Sequence, residues 1–154
     1  MSYAAAMDVP HREAPIGRAL WEAVIHVDRT FDEALTRAGG SRSTWHILLA
    51  LKQRPTANQR EVAADVGIQE ATLTHHLAAM ESDELVTRRR DPNNRRVHLI
   101  ELTQKGQDAF VRLSEAAKAF DRRMRSGIPD AEIDQLRATL DKLVANVGAG
   151  RRRA

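Results

Sequence analysis

The chain has 154 residues, with 24 lysines and arginines against 21 aspartates and glutamates, and it contains no cysteine. That length accommodates one compact domain with an added helical part and disfavours a second independent domain. Without cysteine, this chain has no disulfide, thiolate zinc site or thiol redox switch. No apolar run approaches the roughly 20 residues that cross a bilayer, and the start lacks a signal-like segment, so we expect a soluble, cytoplasmic protein with no membrane partner.

The positive charge is unevenly distributed along the chain. The net charge of +3 indicates little about partners, but five arginines lie between positions 88 and 96 against the single acid Asp91. A local field of this sign favours a polyanion, although an ordinary solvated face is an equally simple interpretation of the run taken alone. The second basic run, at 151–153, follows two glycines and is expected to belong to a flexible basic tail over 149–154.

The first half of the chain predicts a flexible N-terminus over 1–14 followed by helices. Apolar residues recur at steps of three and four from Ile16 to Leu35, which indicates an amphipathic helix that ends at Gly39-Gly40, within a segment 15–40. Ser43 is a suitable cap for a second helix, which should stop before Pro55 because the residue preceding a proline disfavours helix.

The next two helices are short and joined by a tight turn. Asn58 followed by Glu61 matches a capping box, and Gly67 should end the helix that this box begins. Another helix is predicted over about 69–82. These proportions are typical of a helix-turn-helix.

A β-hairpin is predicted directly after the helix-turn-helix. Segments 85–90 and 96–102 carry β-branched and alternating residues, and the turn formers 91–94 separate them. The sequence therefore predicts a mainly α fold with a small β-hairpin wing: a winged helix-turn-helix DNA-binding lobe over 41–102.

Two long helices are predicted over 103–148. Thr103 should cap the first, which ends near Gly127, and Pro129 should start the second. Apolar residues of the last helix repeat at 3, 4, 3, 4, namely Ile133, Leu136, Leu140, Leu143 and Val147. This seam needs another surface, and a symmetric homodimer built with the segment 15–40 is more economical than packing within one subunit, which is the alternative.

The predicted second helix of the helix-turn-helix has two different faces. Leu73, Leu77 and Met80 share one side and should face the core, with His76 near the boundary. The opposite side presents small and polar residues that suit a helix entering the major groove: Ala71, Thr72, Thr74 and His75. An ordinary solvated histidine is the simpler interpretation of His75 if no fold is assumed.

The arginines of the hairpin are candidates for contacts outside the major groove. Arg95 and Arg96 lie at the tip and are suited to a narrow minor groove with concentrated negative potential. Because neighbouring strand residues alternate faces, we expect only one of them to insert, and we include Arg88 among the predicted DNA contacts.

The residues of the wing resemble a known family. The segments Asp91-Pro92-Asn93-Asn94-Arg95-Arg96 and Leu102-Thr103-Gln104-Lys105-Gly106 are similar to the D-P-x-D-R-R and L-T-x-x-G signature of the MarR (multiple antibiotic resistance regulator) family. Segment 61–86 resembles that family's helix-turn-helix, and the order of six helices agrees from about Ile16 to Val147. The resemblance therefore covers nearly the whole chain.

The resemblance implies a transcriptional regulator, usually a repressor. It implies a homodimer formed by the first, fifth and sixth helices, a pseudo-palindromic duplex DNA operator, and release by a small aromatic or anionic effector. The implied recognition contacts are Thr72, Thr74 and His75, with Arg96 as the first choice for the inserting wing arginine.

Three residues depart from the family pattern. Asn94 replaces the usual wing aspartate, so only a neutral hydrogen bond can brace a neighbouring arginine there. His75 stands where arginine is common, so base preference should differ and binding should weaken as histidine loses its proton at higher pH. Glu84 replaces a usual glycine, which predicts a modified end of the recognition helix.

The candidate effector pocket rests on aromatic residues of the first two helices. Trp21, His26, Trp45 and His46 are suited to stacking on and hydrogen bonding an aromatic anion, although plain packing is the simpler interpretation of each tryptophan. The six histidines lack metal-binding spacing, so we expect neither a metal site nor a cofactor.

An enzyme and a different binding module are the competing functions. The sequence lacks a Walker loop, a G-x-S-x-G motif and a Cys–His pair, so we expect no enzyme. A winged helix that contacts protein or RNA without a DNA operator is the alternative, and salt-sensitive binding to duplex DNA distinguishes it from the preferred interpretation.

Overall fold

The computed structural model describes residues 15–94 and 97–148, so the predicted flexible ends 1–14 and 149–154, together with Arg95 and Arg96, lie outside the described residues. The elements are α1 Ile16–Arg37, α2 Arg42–Gln53, β1 Ala57–Asn58, α3 Gln59–Val66, α4 Glu70–Ser82, β2 Val86–Arg90, β3 His98–Leu102, α5 Gln104–Met124 and α6 Asp130–Gly148. The mainly α fold with a β-hairpin wing is confirmed. None of the helices in these ranges has the length and apolar character to span a membrane.

The chain divides into two compact units between Ala117 and Lys118, within α5. The core of the first unit is built from fully buried aliphatic side chains of α1 to α5 and the sheet, including Leu35, Ile47, Leu48, Leu51, Val62, Leu73, Leu77, Ile100 and Leu113. Burial of each such side chain contributes roughly 1.5–3 kcal/mol. The predicted inward face of α4 is confirmed, because Leu73, Leu77 and Met80 are all buried.

Most predicted helix ends are confirmed, but the cap of α2 is not. Ser41, and not Ser43, accepts a hydrogen bond from the Thr44 amide, at 3.1 Å. The reason is that a capping oxygen must precede the first turn, and Ser43 already lies inside α2. The capping box of α3 is present, with both Asn58–Glu61 hydrogen bonds at 2.9 Å.

Arg42 links the start of α2 to α1. The Arg42 guanidinium donates to Asp32 Oδ1 at 2.8 Å, to Asp28 Oδ1 at 2.9 Å and to the Asp28 carbonyl at 2.8 Å. These carboxylates raise the pKa of Arg42 above its ordinary value, chiefly through their hydrogen bonds. The guanidinium also lies over the Phe31 ring, 5.4 Å from its centroid. Arg42 therefore fixes how α1 leaves the lobe that carries α4.

The sheet has three strands, one more than the predicted hairpin. The order is β1-β3-β2, all antiparallel, and Ala57 and Asn58 of β1 pair with Ile100 and Leu99 of β3. A strand of two residues shows no period, and its pairing partner is distant in sequence, so the pattern along the chain gives no signal for it. The extra strand attaches the start of α3 to the wing.

The end of α4 corrects the prediction made from Glu84. The Leu85 amide donates to the Met80 carbonyl at 2.8 Å and the Glu84 amide to the Glu81 carbonyl at 2.9 Å, which is the Schellman pattern. Glu84 itself has φ of 59°, the left-handed conformation that favours glycine. The helix end is therefore unmodified, and Glu84 bears the backbone strain instead.

We expect Glu84→Gly to stabilise the protein by about 0.5–1 kcal/mol. Glycine adopts the left-handed conformation without the steric cost of a Cβ atom, and this gain exceeds the cost of the extra conformational entropy that glycine loses on folding. The Glu84–Lys105 ion pair that is lost is exposed and 3.4 Å long, so it contributes little. Urea unfolding measures the change. Asp83→Gly is the control: Asp83 has φ of −81°, so glycine relieves no strain there and should destabilise the protein. A Glu84→Gly protein no more stable than the wild type would contradict the strain.

Candidate nucleic-acid interface

The outward face of α4 carries small and polar side chains. Ala71, Thr72, Thr74 and His75 are exposed, whereas His76 is half-buried, with its ring centroid 6.1 Å from that of His75. The sequence therefore predicted correctly which face is exposed, and contact of Thr72, Thr74 and His75 with DNA stays a prediction. The major groove admits an α-helix, and small and polar side chains on the outer face are compatible with such an entry.

The two threonines of this face differ in what their hydroxyls can offer. Thr74 Oγ1 donates to the Glu70 carbonyl at 2.8 Å and accepts from the Gln59 side chain, so its only proton is engaged inside the protein. Thr72 makes no side-chain hydrogen bond within the described residues. Thr72 is therefore better placed than Thr74 to donate to a phosphate or a base.

Arg88 is oriented toward α4. Its guanidinium donates from Nε at 2.7 Å and from Nη2 to Glu81 Oε2 on α4. This hydrogen-bonded ion pair lowers the pKa of Glu81 and raises that of Arg88 from their ordinary values. The predicted DNA contact of Arg88 stays untested, while the pair gives Arg88 a definite role in holding β2 against the last turn of α4.

Arg89 and Arg90 lie on opposite faces of β2. Arg89 donates to Glu101 of β3 from Nε at 2.9 Å and from Nη2 at 2.7 Å, and this bond lowers the pKa of Glu101. Arg90 is exposed opposite His98 and has no ion pair with any residue that the structure describes. Two of the three β2 arginines are thus paired with carboxylates, and Arg90, at the end of β2, is left without such a partner among the described residues.

Sequence reasoning did not single out Arg90. The sequence pattern that could have pointed to Arg90 is the period of two along β2, because it places Arg88 and Arg90 on the face that carries the buried Val86. The hairpin beyond it is closed by hydrogen bonds between the Asp91 amide and the Val97 carbonyl, at 2.9 Å, and between the Val97 amide and the Asn94 carbonyl, at 2.8 Å. The wing arginines Arg95 and Arg96 lie outside the described residues.

The end of the wing is joined to α5 through the L-T-x-x-G segment. Thr103 caps α5 as predicted, accepting from the Gly106 amide at 2.9 Å, and its hydroxyl donates to the Glu84 carbonyl at 2.5 Å. The Thr103 amide donates to the Leu85 carbonyl at 3.1 Å. The turn after α4, the wing and α5 therefore meet at one threonine.

The four candidate effector residues have different surroundings in the structure. Trp45 stacks on Phe110, with centroids 5.8 Å apart and planes 16° from parallel, which favours packing as its role. Trp21 and His26 are exposed on α1. His46 lines a cavity of about 190 Å³ with residues of α2 and α3. Across 15–94 and 97–148, groups of three or more metal-ligating side chains are absent.

A helix-turn-helix whose second helix is exposed on its outer face, followed by an antiparallel hairpin, defines a winged helix. The model of the MarR family matches residues 41–98 of this chain. A MarR-family transcriptional regulator from Rhodococcus sp. RHA1 is 30% identical and superposes with a TM-score of 0.69 over 83% of this chain and 91% of its own. The chain belongs to the MarR family.

Two further relatives are similar over much of the chain. The HTH-type transcriptional regulator YdgJ of Bacillus subtilis (strain 168) is 30% identical over 105 residues, which are 68% of this chain and 62% of YdgJ. This chain thus spans about three fifths of the length of that relative. The transcriptional repressor CouR, bound to a 23-mer DNA duplex, is 27% identical, with a TM-score of 0.75 over 84% of this chain and 92% of CouR. CouR from Rhodococcus jostii RHA1 bound to p-coumaroyl-CoA is 28% identical, with a TM-score of 0.67 over 84% of this chain and 91% of CouR.

Proposed function

We propose that this protein is a DNA-binding transcriptional regulator, acting as a repressor on a pseudo-palindromic operator. The observation that carries the proposal is the exposed polar face of α4 beside a wing whose only unpaired β2 arginine is at its outer end, among the described residues. Polar groups on the helix read base edges, while arginines at the wing bind the backbone or the minor groove. The similarity to a repressor bound to a DNA duplex supports this assignment.

The proposed active form is a homodimer. Helix α1 exposes Ile16, Trp21, Val24 and Ile25, and α6 buries none of its residues in the single chain. Apolar helix faces of this kind mark interaction surfaces in soluble proteins. A two-fold dimer covers the same faces on both copies and presents two α4 helices to a two-fold operator.

We further propose that a small aromatic or anionic effector releases the protein from DNA. The similarity to CouR bound to p-coumaroyl-CoA supports effector control in this chain. The candidate residues remain Trp21, His26, Trp45 and His46. Because Trp21 and His26 are exposed on α1 in the single chain, a second copy that covers α1 would complete the pocket.

Titration of the protein onto the DNA upstream of its own gene tests the proposed function. The expected result is tight binding that resists unrelated duplex and weakens with salt, with a slope of about 0.9 in log affinity per phosphate neutralised. Equal affinity for all duplexes would remove the operator from the proposal. No duplex binding would favour a protein- or RNA-interaction module with the same fold.

We expect Arg96→Ala to weaken operator binding about tenfold without changing the unfolding temperature, because one charge-assisted contact to DNA is lost. Fluorescence anisotropy on a labelled operator measures the effect. Arg112→Ala, which removes the same charge from an exposed position of α5, is the control and should bind normally. Retained operator affinity in Arg96→Ala would contradict the assignment of this wing arginine.

A further inference from the structure

The first residue of α3 is bonded to the recognition helix. Gln59 Nε2 donates to Thr74 Oγ1 and, at 3.4 Å, to the Glu70 carbonyl, and Thr74 Oγ1 donates to the same carbonyl at 2.8 Å. Because a carbonyl oxygen only accepts hydrogen bonds, the amide nitrogen must face it, which fixes the orientation of the Gln59 amide. We call these three hydrogen bonds the Gln59 tether.

Both acceptors of the tether, Thr74 Oγ1 and the Glu70 carbonyl, belong to α4, so the Gln59 amide nitrogen is bonded to the helix that it faces. The tether thus gives Gln59 a route of influence on DNA through the position of α4. The backbone of Gln59 is itself held, since Asn58 and Glu61 form the capping box and Asn58 pairs with Leu99 in the sheet. Gln59 is thus a fixed point against which α4 is aligned.

Among the residues that the structure describes, no other side chain restrains the beginning of α4 in this way. Gln69 occupies the N-cap position but makes no side-chain cap hydrogen bond, and the preceding turn passes through Gly67 in the left-handed conformation. The residues that would read base edges, Thr72 and His75, lie in the first two turns of α4. Productive contacts tolerate displacements of only about 0.5 Å, so this end of the helix needs a restraint.

We propose that Gln59 is a positioning residue that aligns the first turns of α4 and thereby sets the preference for operator over unrelated DNA. The inference rests on the proposed function. Gln59 acts on specificity, because loss of the tether would disturb base contacts and leave phosphate contacts in place.

Gln59→Met tests the proposal because methionine keeps the length of the side chain and removes both donors. We expect operator affinity to fall five- to tenfold, unrelated-duplex affinity to stay within twofold, and the salt slope to stay unchanged. Combined with Gln59→Met, Thr74→Val should cause no further loss of operator affinity. The losses of operator affinity caused by Thr72→Val and by Gln59→Met should instead multiply. Unchanged operator preference in Gln59→Met, or multiplying effects of Gln59→Met and Thr74→Val, would overturn the proposal.

Hydrogen exchange of the free protein separates this inference from the proposed function. The Thr74 amide should exchange at least fivefold faster in Gln59→Met and at the wild-type rate in Gln69→Ala, a matched glutamine without the tether. A wild-type protein without operator preference would reject the proposed function, whatever the exchange result. An operator-specific wild type with unchanged exchange in Gln59→Met would reject the positioning role alone.

Discussion

Gly106→Ala is expected to destabilise the protein by about 3 kcal/mol, the upper range for forcing atoms into a packed site. A Cβ atom at this position would overlap the Leu85 carbonyl oxygen and lie 3.0 Å from the Leu85 carbonyl carbon and 3.3 Å from Leu102 Cδ2. The carbonyl cannot retreat easily, because it accepts the Thr103 amide at 3.1 Å. Substitution must therefore separate α5 from the turn that follows α4.

Gly17→Ala is the matched control for this prediction. Gly17 also lies in the first turn of a helix, but a Cβ atom there would meet nothing within 4 Å. Alanine should stabilise α1 by about 0.5–1 kcal/mol, the ordinary difference between these residues in a helix. Urea unfolding of both variants decides the matter. If the free energy of unfolding of Gly106→Ala lay within about 1 kcal/mol of the wild-type value, the contact between α5 and the Leu85 carbonyl would be able to accommodate a Cβ atom, and the prediction would be wrong.

Gly106 also shows why the glycine of L-T-x-x-G is needed here. The motif predicted a wing followed by a helix, and Thr103 was predicted as the cap. The close approach of α5 to the Leu85 carbonyl depends on tertiary packing, which no local pattern reports. The glycine is thus a consequence of that approach and not of a turn, because Gly106 lies within α5.

Helical periodicity and local capping chemistry predicted most of the fold. The buried face of α4, the Asn58–Glu61 box and the end of α3 at Gly67 each depend on residues within a few positions of one another. β1 depends on pairing with a strand some forty positions later, so local patterns do not reveal it. Ser43 was predicted as the cap of α2, but the helix begins at Arg42, so Ser41 occupies the capping position.

The sequence predicted which residues of the candidate site are exposed, but it did not predict their hydrogen-bond partners. The exposure of Thr72, Thr74 and His75 follows from the period of 3.6 residues. The partners of Arg88 and Thr74 do not follow, because Glu81 and Gln59 lie on other elements and reach them only in the folded chain. The sequence shows the charge of the arginine run, but only the folded structure shows which carboxylates lie beside these arginines and neutralise part of that charge.

The apolar face of α6 leads to the last prediction, that Leu140→Glu dissociates the proposed homodimer. Leu136, Val144 and Val147 on the same helix are 53%, 68% and 81% exposed in the single chain. A carboxylate at Leu140 would have to lose its hydration in a coiled-coil-like seam, against an identical charge on the second copy. We expect the mass in sedimentation equilibrium to fall from that of two chains to that of one.

Operator affinity should fall at least about 100-fold in the same variant, since the two half-sites would no longer be bound by linked copies. Ala138→Glu is the control: it adds the same charge to α6, but Ala138 is exposed and lies about 200° around the helix from Leu140. Circular dichroism must show that both variants keep their helices, which is expected because Leu140 is only half-buried in the single chain. A two-chain mass for Leu140→Glu would place the dimer contact elsewhere. A one-chain mass with wild-type operator affinity would instead show that DNA binding does not require the dimer.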